Sequence, residues 1–300
     1  ANGVIRVTTK RGRAGGSQWN AWLEGGMLKD GYTYPKGYFN ASAENPNSDC
    51  LTYMAAAGTC TIANRYELDL LNDPRTTPFA TGFRQQVGAS LSGGSDLIRY
   101  FVSAEGESET GVLKLGDAEG DYAATLRGLA SRAELPREQV RPNHFNKYNF
   151  RVNLNAAPRS NLDVSLSTGY VINNIRLPQT GDNFSSLISS PIFGSANPNI
   201  VAITGGYGFS RPAHSIGQVS WRKNDHFINA ATVNWRPFSW LSTRGTFGID
   251  YLNYVDEQNI LRGQGCLTCT TENQGKRMFN RYIDTKYTVD LNATAQTQLT

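Results

Sequence analysis

This chain has no long hydrophobic run. No stretch of its 300 residues approaches the roughly 18 consecutive apolar residues of a membrane-crossing helix. A hydrophobic fraction of 39% and a mean hydropathy of −0.43 exclude a polytopic helical membrane protein. Histidine is scarce: His144, His214 and His226 lie far apart, and neither HExxH nor GxSxG occurs. No catalytic constellation is left to argue from, so the chain does not read as an enzyme, and no metal or cofactor is expected. The four cysteines fall into two pairs, Cys50 with Cys60 and Cys266 with Cys269, without His or further Cys at ligand spacing, which argues against zinc. The CxxC at Cys266 follows Gly263-Gln264-Gly265 and not a helix start, so loop disulfides in an oxidising compartment are expected for both pairs. One-sided charge is also absent, the net value being +4. The basic cluster Lys10, Arg11, Arg13 is too short and too poor in aromatics to grip nucleic acid.

What the chain has is alternation. Leu241, Thr243, Gly245, Phe247, Ile249 and Tyr251 interleave with Ser242, Arg244, Thr246, Gly248 and Asp250. Successive strand residues point to opposite faces, so one face is apolar and the other polar. The pattern recurs at Phe83 to Leu91, Ile98 to Ala104, Tyr148 to Ala156, Leu162 to Ile172, Phe227 to Trp235 and Ile283 to Ala293. Arg84, Arg99, Arg151, Arg244, Asp250, Lys286 and Asp290 all fall on the polar face, which must be hydrated. A barrel strand needs only about 9–11 residues to cross a bilayer.

Tight turns are expected at Gly93–Asp96, Ala157–Ser160 and Pro237–Ser239. Irregular loops are expected at Ser108 to about Phe145, Asn174 to about Asp225 and Gln258 to Phe279. Between Glu24 and Pro78 regularity is lost, with a helical turn expected at Tyr66–Leu71. Every short turn falls at one end of the strands and every long loop at the other, as in outer-membrane barrels. Trp235, Phe238 and Trp240 near a short turn, with Tyr251 and Tyr254 at the far end, suggest two aromatic girdles. Both ends look cut: the chain opens in a strand-like run without a signal peptide and stops inside an alternating segment.

Two further sets of residues invite chemistry. Glu105, Glu107 and Glu109 make an acidic ladder, read as solvated charge in preference to a cation site. In the loop between the second and third hairpins, Phe184, Phe193, Tyr207, Phe209 and Trp221, with Asp182, Asn183 and Arg211, could stack on a sugar or grip a peptide. The same rings could instead pack the loop.

Gly82-Phe83-Arg84-Gln85-Gln86, Ser90-Leu91-Ser92-Gly93-Gly94-Ser95-Asp96 and Arg99-Tyr100-Phe101-Val102-Ser103 together resemble the first hairpin of SusC/RagA-like TonB-dependent outer-membrane transporters. Ala1-Asn2-Gly3-Val4-Ile5-Arg6-Val7-Thr8-Thr9-Lys10-Arg11-Gly12 is similar to the end of that family's plug domain. The resemblance implies a 22-stranded plugged barrel. Residues 1–15 would be the last plug strand, and residues 16–300 an antiparallel transmembrane β-barrel segment of about eight strands with long extracellular loops. It further implies import of glycan oligosaccharides or peptides across the bacterial outer membrane, with a SusD-like surface lipoprotein and the TonB-ExbB-ExbD complex as partners. A siderophore or cobalamin receptor, or a non-transporting β-sheet adhesin, would be the alternatives.

Overall fold

A computed structural model describes residues 10–178, 184, 186–265 and 271–297. Residues 1–9 of the expected plug strand, the pair Cys266 and Cys269, and Asp182 and Asn183 lie outside the described residues.

The alternating segments form strands β1 (Gly15–Leu28), β4 (Gly82–Gly94), β5 (Ile98–Thr110), β6 (His144–Arg159), β7 (Leu162–Leu177), β8 (Val219–Phe238), β9 (Leu241–Ile260) and β10 (Lys276–Ala295), with β2 (Gly37–Ser42) and β3 (Ile62–Leu68) inserted after β1. The eight long strands make one antiparallel sheet in the order β1-β4-β5-β6-β7-β8-β9-β10, each pairing with its neighbour in that order. This is the expected barrel-wall architecture, and among the described residues no helix is long and apolar enough to cross a membrane. Three tight turns join β4 to β5, β6 to β7 and β8 to β9, all at one end, while the four long connections lie at the other. At the first turn Gly94 has φ +143° and a Cβ there would collide with the Ile98 carbonyl, so only glycine fits.

Several strands outrun their expected limits. The expected turns at Ala157–Ser160 and Pro237–Ser239 shrink, because β6 and β8 continue through Pro158 and Pro237. Register shifts between Ala156 and Arg159 and between Trp235 and Phe238 absorb the missing proline N–H as a bulge. At the long-loop end β8, β9 and β10 run on past the apolar alternation, held by cross-strand polar pairs such as Arg277 to Glu257 at 3.0 Å. The irregular stretch after β1 holds the small β2–β3 sheet, and the expected helical turn at Tyr66–Leu71 is replaced by the end of β3. There Tyr66 pairs with Phe39, and Leu68 packs on the buried Phe39, Ala41 and Ala196, a strand-like alternation that outweighs a short helical spacing.

The apolar face of the large sheet is uncovered. Trp19, Leu23 and Leu291 are 76%, 79% and 80% exposed, and Phe83, Val87, Phe247, Tyr287 and Val289 share that face. The buried core lies instead in the long connections, where Leu113, Leu115, Ala123, Leu135, Leu187, Ala213 and Ile216 cluster above the sheet end. Among the described residues no apolar layer lies on this oily face, an exposed area of the kind that marks a surface for lipid or for another protein.

Candidate functional site

The polar face carries several cross-strand hydrogen bonds. Register places Arg84, Arg99, Arg151, Arg244, Asp250, Lys286 and Asp290 together on it, as expected. Of the acidic ladder on the same face, Glu107 accepts from Arg84 Nε at 2.5 Å. Ser167 donates to Asn153 Oδ1 at 2.8 Å, and His226 Nε2 meets Asp250 Oδ1 at 2.7 Å. Tyr254 lies on this face too, under the Arg222 guanidinium at 5.1 Å, and does not join Tyr251 in an outer girdle. The reason is parity: Tyr251 and Tyr254 are three residues apart, and a strand turns odd separations to opposite faces.

The segment before β1 crosses the polar face. Asn153 Nδ2 donates to the Lys10 carbonyl at 2.6 Å, and a Cβ on the buried Gly12 would strike the backbone of Tyr100. Glycine is required here because two backbones touch.

At the other end of the strands, the connections after β5 and β7 are locked together. The β2–β3 connection holds helix α1 (Thr52–Ala56), and the connections after β5 and β7 hold α2 (Asp117–Leu126), α3 (Arg137–Val140), α4 (Ser189–Ile192), α5 (Pro198–Thr204) and α6 (Pro212–Ser215). Glu119 of α2 is 1% exposed. It accepts from Arg211 Nη2 at 2.6 Å and Nε at 3.0 Å, and from the Ala213 amide at 3.1 Å, while the Arg211 guanidinium lies 3.6 Å from the Tyr122 ring centroid. Tyr122 meets His214 edge-on. Burial, and then the charge of Arg211, hold the His214 imidazole below its ordinary pKa. Arg211, read from sequence as a ligand contact, is thus engaged in pinning one connection to the other. Cys50 and Cys60 are joined by a disulfide with Cα atoms 5.9 Å apart, stapling the β2–β3 connection.

The aromatic candidates divide. Tyr207 is buried, with its hydroxyl unpartnered among the described residues and its pKa raised by burial. Trp221 lies not in the loop but in β8, with the Arg176 guanidinium 5.2 Å from its ring. Phe184, Phe193 and Phe209 converge. Phe184 stacks on Phe209 at 4.5 Å, and Phe193 packs edge-on to both, at 5.3 and 5.9 Å. All three are more than half exposed. Phe209 has φ +53°, alone in this among the described non-glycine residues. The Ser190 hydroxyl contacts the carbonyls of Gly208 and Ser210 on either side, and the Gly208 amide donates to the Ser190 carbonyl. The flanks thus hold a bulky residue in a left-handed conformation, with its ring in solvent, at a cost in backbone strain. Three such rings can stack on a sugar face or receive an apolar peptide side chain.

Sequence reading missed Glu119, Tyr122, His214 and Ser190. Each acts through a partner 18 or more residues away, which no local pattern reports.

No family model and no curated protein sequence matches the chain. Among solved structures it is similar to the RagAB peptide importer in the closed-closed state (TM-score 0.60, 13% identity, covering 97% of this chain and 34% of that chain) and in the open-open state (0.61, 14%, 95% and 33%). A further structure of the RagAB peptide transporter aligns over 72% of this chain and 22% of that chain at TM-score 0.50 and 14% identity. At such identities the likeness establishes the fold. The chain spans about a third of the length of the importer chains it matches.

Proposed function

We propose that this chain is a section of the wall of a TonB-dependent importer in the bacterial outer membrane, with its eight long strands in the bilayer and its long connections outside the cell. The inclined apolar band on the outward face carries the reading. On β9 the band runs from Leu241 to Tyr251, about 34 Å along the strand and about 26 Å in height at a tilt near 40°, close to the roughly 25 Å belt of such barrels. From β4 to β9 the upper edge of the band also slopes. It reaches Phe83 on β4, but on β9 it stops at Tyr251, six residues short of Glu257, the residue that shares a register row with Phe83. Six residues, about 20 Å, over five strand spacings, about 24 Å, correspond to a tilt of about 40°, within the range of membrane barrels. A flat lipid slab cutting tilted strands produces this slope; a soluble sandwich has no cause for it.

In this reading residues 1–15 end a plug and residues 16–300 belong to the wall. Lys10–Ala14 lying on the polar face supports that division. The importer's cargo would be peptides or glycan oligosaccharides, received at the Phe184–Phe193–Phe209 cluster. A SusD-like lipoprotein would be its lid, and TonB-ExbB-ExbD its energy source. The fold shared with RagAB peptide importer chains favours peptides.

The test is uptake by cells carrying or lacking the full-length gene, with labelled oligopeptides, oligosaccharides and a ferric siderophore offered separately. Gene-dependent accumulation of peptide or glycan, abolished by a protonophore, is expected. Accumulation of the siderophore alone would overturn the cargo, and a protein absent from the outer-membrane fraction would overturn the reading itself.

A further inference from the structure

On β8–β10 the outward face does not end with the apolar band. Above Phe227 on β8 come Asp225, Lys223 and Trp221, above Tyr251 on β9 come Asn253, Val255 and Glu257, and above Ile283 on β10 come Arg281, Phe279 and Arg277. On the bilayer reading, on which this inference rests, these residues stand where lipid headgroups meet the outer surface.

We propose that Lys223 and Arg281 bind the phosphate of a membrane lipid. Both pair with Val255, Lys223 from one side and Arg281 from the other, so their Cα atoms flank that apolar residue about 10 Å apart. The side chains there are organised for a guest. Arg281 Nε donates to Asn253 Oδ1 at 2.9 Å, and Asn253 Nδ2 donates to Asp225 Oδ2 at 3.1 Å. That chain orients the guanidinium and occupies the nearest carboxylate. The second carboxylate, Glu257, is matched by Arg277 at 3.0 Å. Among the described residues no carboxylate lies within ion-pair distance of Lys223. The stretch therefore carries three cations against two anions, with one cation unmatched and the other still offering its terminal nitrogens.

A phosphate ester fits this gap: it accepts two parallel bonds from a guanidinium and a third from an ammonium. Long basic side chains lay their stems along apolar surface and hold their charge at headgroup level. The acyl chains of the same molecule would descend past Ile283 and Phe227 onto the band, so the site selects an anion that carries its own hydrocarbon.

The experiment is native mass spectrometry of the full-length protein in detergent, titrated with phosphatidic acid, with diacylglycerol of the same chains, and with inorganic phosphate. Wild type should retain phosphatidic acid in preference to diacylglycerol. The double variant K223Q/R281Q should retain it at least about ten-fold less, with diacylglycerol unchanged. A K223R variant, which keeps the charge, should bind as wild type does. Heat-modifiable electrophoretic mobility checks that each variant is a folded barrel. Equal retention by wild type and K223Q/R281Q overturns the site. Displacement of the lipid by inorganic phosphate would make it a free-anion site and overturn the lipid assignment. A protein that needs no detergent and never enters vesicles sinks the bilayer reading; one that enters vesicles but takes both lipids alike sinks only this inference.

Discussion

Phe247→Arg and Thr246→Arg place the same side chain one residue apart on β9, near the middle of the outward band. Phe247 is 47% exposed on the apolar face, beside Tyr287 with ring centroids 6.5 Å apart. Thr246 is on the polar face, its hydroxyl 3.2 Å from that of Thr232, and it pairs with Asp290 on β10. If lipid covers the apolar face, Phe247→Arg carries a charge to the bilayer midplane at a cost of about 2–4 kcal/mol, or roughly thirty-fold to several-hundred-fold in the folding equilibrium. Thr246→Arg keeps its charge in water opposite a carboxylate and should change stability by less than about 1 kcal/mol. The assay is a urea titration of the full-length protein folding into vesicles, with the heat-modifiable band counting folded molecules. Equal losses for the two variants, or the larger loss at Thr246, would refute the assignment of faces. Arg244→Leu, also on the polar face, should resemble Thr246→Arg and not Phe247→Arg.

Replacing Arg211 with Leu leaves Glu119 charged, buried and unpaired, and should loosen the connections after β5 and β7 by about 3 kcal/mol; faster hydrogen exchange confined to 111–143 and 186–218 is the expected readout. His214 packs in the same node with a lowered pKa, so the neutral ring is the one the fold favours. Stability from this group is present above the unfolded value near 6.5 and is lost as pH falls below it, and His214→Gln should flatten exchange rates measured between about pH 7 and 5. Removing the Cys50–Cys60 link, which closes a sequence separation of 10, should relax the β2–β3 connection by about 2–3 kcal/mol. Proteolytic nicking within 29–81 should rise while the heat-modifiable barrel stays intact. Phe209→Gly relieves a left-handed φ but deletes a stacking ring; peptide or glycan binding should weaken about three- to ten-fold with no loss of folded protein. Unchanged binding would remove the cluster from the site.

Period-two alternation was readable in the chain because a pleated strand converts parity directly into a face. That rule placed Arg84, Arg151, Arg244 and Asp290 together before any coordinates. The same rule, applied to Tyr251 and Tyr254, would have separated them; treating the pair as one girdle ignored parity. Strand ends were misjudged wherever polar residues pair across strands, as at Arg277 and Glu257, because hydropathy stops at the band while backbone pairing does not. In the aromatic loop, residue type was visible but neighbourhood was not. Phe184 and Phe209 lie 25 positions apart, and Arg211 finds its partner Glu119 a further 92 positions back.

Sequence alone determined the sheet, its two chemically unlike faces and the sorting of short turns from long connections, since each follows from local spacing and chain length. Tertiary structure decided which rings meet, which charges are matched and which cations are left over. Those depend on distances between segments remote in the chain, and only the pairing of the strands and the packing of the long connections sets them.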